Sequence, residues 1–292
     1  MKKTILYFLF FFIIYILSFG LVVKTLNKPK NYNNVLSIIN SSPKFVNKKT
    51  KTLSTLTQKD INNNKRKEMQ NKYGVRIEYK DKFQYLPKNI KPVYLMDDTI
   101  ITQYLDYLDT VLSYYPSTFF YEMKNNSMPL TIYLIDNAGG TFAGLTDLEK
   151  RNDIKITLTT DGFFYRTVHH EIMHYIHGYI KEIAWPNDPF VEWEKFNPLN
   201  FKYGNFDDSF VYSEKTDIKN IYFINHYAET NKFEDIASTF EEMTTRETNN
   251  KEKFNQNTPI YKKEKLISEI IEKYYKSVKP NTIWKWNRFL NN

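Results

Sequence analysis

The chain has 292 residues, with 41 Lys and Arg against 33 Asp and Glu, a formal net charge of +8 and no cysteine. The absence of cysteine excludes disulfides, a thiolate zinc site and an acylated cysteine anchor. Residues 1–72 hold 14 Lys and Arg against 2 Asp and Glu, which makes +12 and leaves −4 for residues 73–292, so no nucleic-acid partner is expected of the folding part.

The first element is an uncharged apolar run, Ile5 to Val23, preceded by Lys2 and Lys3. Nineteen residues suffice to cross a bilayer. The run therefore reads as a signal anchor (a transmembrane helix), or as a signal peptide cleaved after Gly20 behind Ser18. Basic residues flank both ends and leave the orientation open. Either reading places the rest of the chain in an extracytoplasmic location, membrane-anchored through residues 5–23 or secreted. Residues 24–72 are rich in Asn, Lys, Ser and Thr and read as a basic disordered stalk, with a helical tendency around Gln58 to Gln70. Such a stalk is either simply solvated or in contact with anionic lipid or wall polymer.

Residues 73–292 are long enough for one sizeable domain or two lobes around a cleft. Val75 to Tyr79 and Val93 to Met96 read as strands. Asp98 to Tyr114 carries Ile101, Leu105, Leu108 and Leu112 at helical spacing and ends before Pro116. Leu130 to Ile135 and Asp153 to Thr159 alternate as strands do, and Gly139-Gly140 breaks the chain between them. Ile154 to Thr159 reads either as an ordinary core strand or as a sheet edge to which an extended peptide could add as a further strand.

A helix over 163–179 follows, with Asp161 as its N-cap and Gly178 where it could bend or end. It contains His170-Glu171-Ile172-Met173-His174, and four of the five histidines in the chain fall at 169, 170, 174 and 177. Residues i and i+4 share one helix face, so His170 and His174 can reach one Zn2+. Glu171 lies about 100° round the helix, beside the metal, where a general base for a bound water belongs. Val168, Ile172, Tyr175 and Tyr179 form the opposite, apolar side.

A catalytic zinc site needs a third protein ligand and an open position. His177 faces the same way as His170 but lies about 10 Å along the axis, too far to share the ion. It reads as a second-layer or cleft residue, or as a plain surface histidine. The better third ligand is Glu234, at the start of a helix whose buried side is Ile236, Phe240 and Met243 and whose small Ala237 and Ser238 permit close packing. The alternatives are a helix-start acid favoured by the dipole, or a ligand among Glu192, Glu194, Asp207 and Asp208. Asp235 reads as a residue orienting a ligand histidine or as a cap.

H-E-x-x-H, followed by Tyr227 seven residues before Glu234-Asp235-Ile236-Ala237-Ser238-Thr239-Phe240, resembles the gluzincin catalytic domain of anthrax lethal factor-like proteins. Bacterial proline-proline endopeptidases and related zinc-binding metallopeptidases share that domain. The resemblance covers residues 169–243. It implies a zincin-like α+β fold: a small mixed sheet, an active-site helix and a mainly helical C-terminal lobe. It also implies His170, His174 and Glu234 as ligands of one Zn2+, Glu171 as base and Tyr227 as hydroxyl donor to the oxyanion. Met173 and Tyr175 around His174, and Ser238 where a second Glu is usual, depart from the family pattern. Independently, a phenol at the cleft suits oxyanion stabilisation; its alternative is a packed aromatic.

The insert 180–225, with Trp185, Trp193, Tyr203, Phe206 and Phe210, reads as the far wall or lid of the cleft. Leu266 to Tyr275 and Ile283 to Leu290 read as closing helices. The function these readings support is a zinc-dependent endopeptidase acting on a protein or peptide substrate. The competing readings are an inactive peptidase-like zinc-binding interaction protein and a zinc amidase acting on cell wall.

Overall fold

The computed structural model describes residues 56–80, 90–140, 142–160, 164–213, 216–246 and 258–279. The apolar run at 5–23, most of the stalk, the Asp161 cap and the helix expected at 283–290 lie outside the described residues. Among the described residues, no helix is long and apolar enough to cross a membrane.

The folded part begins earlier than residue 73. Helix α1, Gln58–Tyr73, opens on a capping box in which Thr57 and Asp60 bond each other's backbone N–H groups. It ends at Gly74, whose φ of +75° suits glycine. Met69 and Tyr73 are buried in the main core, and Asn62 bonds the backbone of Asp98 at 2.7 Å. The last fifteen residues assigned to the stalk and the domain's first residue are thus a docked helix. Their polarity hid this, because only Asn62, Met69 and Tyr73 are buried.

The strands are β1 (Arg76–Tyr79), β2 (Val93–Tyr94), β3 (Leu130–Asn137), β4 (Gly144–Asp147) and β5 (Ile154–Thr159). Their order is β1-β3-β5-β4, with β2 paired to the end of β3. β1, β3 and β5 run parallel, and β4 runs antiparallel to β5. Helix α2 (Asp98–Leu112), capped by Asp97, and the short α3 (Phe119–Asn125) make the crossover from β1 to β3. Among the described residues β5 is interior, as the core-strand reading has it, and β4 rather than β5 is the edge. β5 is buried on both faces except at Lys155, as an interior parallel strand requires, while all four residues of β4 are half-buried and show no alternation to read.

Helix α4, Phe164–Ala184, packs on β4 and β5, and α5, Lys232–Thr245, packs on α4. α6, Pro259–Tyr274, lies behind α5. α4 runs on to Ala184 and so does not end at Gly178. A Cβ there would come within 3.0 Å of Leu148, so the glycine admits a side chain from beyond β4.

Candidate metal centre

His170 and His174 project from one face of α4, and Glu234 reaches them from the first turn of α5. Asn231 caps that turn, accepting from the N–H groups of Phe233 at 2.9 Å and Glu234 at 3.1 Å. His170 Nε2 lies 3.2 Å from His174 Nε2 and 3.0 Å from Glu234 Oε2, and His174 Nε2 lies 3.3 Å from that oxygen. A tetrahedral zinc with ligand bonds of about 2.0–2.1 Å has donors about 3.3 Å apart. The three donor atoms thus fit the ion, and the set of two imidazoles and one carboxylate is one zinc accepts.

Burial opposes charge on His170 and Glu234, but their mutual contact outweighs it. Burial would lower the His170 imidazole; Glu234, Glu241 and Glu171 raise it to about 10. Burial would raise the Glu234 carboxyl; His170 and His174 lower it to about 2.

On the other side of the His170 ring, Glu241 Oε2 lies 3.3 Å from Nδ1. Arg166 holds Glu241 at 2.5 Å through Nε and Glu242 at 2.9 Å through a terminal nitrogen. Glu241 was not singled out from sequence. Its signal is a spacing: seven residues, two helical turns, place it on the face of Glu234. Ser238, between them, has a buried hydroxyl with no hydrogen-bond partner among the described residues.

Glu171 is buried beneath the edge strand. Thr146 Oγ1 donates to its Oε2 at 2.6 Å. A Cβ on Gly144 would fall 2.6 Å from Glu171 Cγ, so only glycine lets β4 approach this closely. Burial raises the Glu171 carboxyl, against the pull of His170, His174 and the Thr146 hydroxyl.

Tyr227 stands at the mouth, 52% exposed, with its ring 5.8 Å from that of His170. Its neighbour His226 turns to Asp208 and Glu229, each at 2.8 Å. His177 is not a surface histidine. It is buried, its ring lies against Phe190 and Phe233, and it lines the cleft without touching the donor group.

Asp235 departs from both expectations. It neither caps α5 nor orients a histidine. It points to the opposite side, where its Oδ2 accepts from Trp193 Nε1 at 2.8 Å, Tyr203 OH at 2.8 Å and the buried Lys263 ammonium at 2.7 Å. Successive helix positions differ by about 100°, so neighbours on α5 serve different surfaces.

The rival ligands are engaged elsewhere. Glu192 pairs with Lys195, Asp207 bonds Ser209, Asp208 pairs with His226, and Glu194 is exposed on the Trp193 turn. The 180–225 insert is corrected too. The cleft, about 660 Å3, is walled by β4, by α4 and by the stretch from Tyr227 to Glu234. Of the described insert residues only Lys181 reaches it. Trp193 and Tyr203 instead back α5 through Asp235, so these two aromatics serve as a buttress.

No protein-family model matches the chain, and no curated protein does. Among solved structures it is similar to a "putative zinc-binding metallo-peptidase" from Bacteroides caccae. That match has 14% identity and a TM-score of 0.52, and covers 80% of this chain and 91% of the other. At that identity the likeness concerns the fold alone, a small mixed sheet with a helical C-terminal part.

Proposed function

We propose that the chain is a zinc-dependent endopeptidase that hydrolyses peptide bonds outside the cytoplasm, with His170, His174 and Glu234 as ligands and Glu171 as base. The observation that carries this is Glu171: a buried carboxylate beside three convergent donors, held by Thr146 and roofed by β4, the edge strand among the described residues. A bound zinc ion would supply Lewis acidity and a water of lowered pKa. Glu171, beside those donors, would serve as the general base and then as the acid toward the leaving amine. Burial, which raises its carboxyl, favours the uptake of a proton there. Tyr227, beside His170, offers its hydroxyl to the oxygen on which charge develops. β4, the edge strand among the described residues, gives an extended substrate a strand to pair with. The extracytoplasmic, membrane-tethered location rests on the apolar run at 5–23 alone.

Metal analysis of the purified full chain, with cleavage of an unbiased peptide library, tests this. One zinc per chain is expected, with turnover that Glu171→Gln abolishes while the zinc stays. Glu234→Ala should release the metal. Stoichiometric zinc with no hydrolysis of any peptide would instead favour a binding protein.

A further inference from the structure

The cleft continues past the donor group. Gly144 lies against Thr167 and Glu171, Thr146 bonds Glu171, and Leu148 lies against Gly178, so β4 and α4 run side by side in the same direction. Beyond His174, α4 presents His177, Gly178 and Lys181 to the cleft, across from Leu148 and Phe233.

Two features of this stretch select a ligand. Its floor is apolar and uncharged. The His177 ring packs 4.6 Å from Phe190 and 5.1 Å from Phe233, and burial pushes its imidazole down to about 4. Leu148 and Phe233 are 41% and 47% exposed, although both are large apolar side chains. The outer end carries a cation: Lys181 Nζ sits 5.9 Å from the centre of the Phe233 ring and, among the described residues, forms no ion pair. No other Lys or Arg is among the described residues that line the cleft.

We propose that this stretch selects peptides with a large apolar residue just before the scissile bond and an acidic residue about three positions before it. This rests on the cleft being the endopeptidase site. Lys181 lies seven residues beyond His174, about 10 Å along the helix, which an extended peptide spans in about three residues. Antiparallel pairing, the more stable ladder, would run the peptide from the Leu148 end of β4 toward Gly144. Residues near Lys181 then precede the bond. The apolar side chain lies over His177 and Gly178, and the carboxylate meets the Lys181 ammonium.

The test uses binding and cleavage together. Three fluorescein-labelled peptide libraries share a fixed Leu and differ two positions before it, carrying Glu, Gln or Lys. Affinities are measured on the zinc-loaded full chain carrying Glu171→Gln, alone and with Lys181→Glu; Lys181 is exposed, so charge reversal leaves the fold in place. The Glu library should bind about fivefold or more tighter than the Lys library, and Lys181→Glu should reverse that order. Equal binding of the three, no binding of any, or a preference that survives charge reversal would overturn the inference. Charge-selective binding without cleavage by the wild-type chain would remove the endopeptidase reading and leave the selectivity standing. Cleavage without charge preference would do the opposite.

Discussion

Glu241 Oε2 stands 3.3 Å from Nδ1 of His170, while Glu234 Oε2 stands 3.0 Å from Nε2 of the same ring. Two carboxylates from one face of α5 therefore clamp a single imidazole, and Arg166 fixes the outer one. An acceptor at Nδ1 sets the tautomer that leaves Nε2 free for a metal and raises the basicity of the ring. Glu241→Gln keeps an oxygen acceptor but loses the charge. It should weaken zinc binding by about 10–100-fold, the usual cost of losing such a partner. Chelator competition on the purified protein reads this directly; unchanged affinity would leave Glu241 as only a partner of Arg166.

Gly144 is the tightest point between β4 and the base. Gly144→Ala should destabilise the fold by about 1–3 kcal/mol, because the added methyl has nowhere to go among Thr167 and Glu171. It should also lower turnover more than it raises KM, since the displaced group is the carboxylate itself. A urea titration and a kcat measurement on the variant check both effects; a variant of wild-type stability and kcat would show that β4 can give way at no cost.

His177 sets a pH dependence of stability. In the fold its imidazole is pushed from 6.5 down to about 4, first by burial and then by Lys232, His174 and Lys181, with Asp188 opposing. Between those values the unfolded chain binds a proton that the fold refuses, so stability rises with pH there. The contribution is complete above pH 6.5 and is lost as pH falls toward 4, on the order of 3 kcal/mol in all. In zinc-free protein, His177→Phe should flatten the pH dependence of the urea midpoint across this window. A parallel pH dependence in both proteins would mean that His177 is protonated within the fold.

The convergence of His170, His174 and Glu234 was legible because each depends on a short spacing. His170 and His174 are one helical turn apart, and Glu234 opens a helix with an unmistakable buried side. β4 was not legible, because an edge strand of four half-buried residues has no period to detect. α1 was missed as part of the domain because it docks through a hydrogen-bonded Asn62 as well as apolar residues, and polar docking looks like solvation in a sequence. Asp235 was misplaced because its partner Lys263 is 28 residues away, a lysine whose complete burial no local pattern announces. The same buried pair explains how the insert could look like a lid: its aromatics are conspicuous, but Trp193 and Tyr203 spend their polar groups on Asp235.

Tyr227 is the residue on which chemistry and packing can best be separated. It is half-exposed, and its ring lies 5.8 Å from that of His170. His226 is occupied by Asp208 and Glu229, and His177 is buried against Phe190 and Phe233, so neither offers an alternative donor at the mouth. Tyr227→Phe removes only the hydroxyl. If that hydroxyl bonds the developing oxyanion, kcat should fall by about 10²-fold or more, the cost of one lost donor. KM should change little, because the bond strengthens mainly in the transition state. Zinc content and melting temperature should stay at the wild-type values, since the exposed ring remains. A variant with normal kcat would assign the oxyanion to another donor and leave Tyr227 as a wall of the cleft.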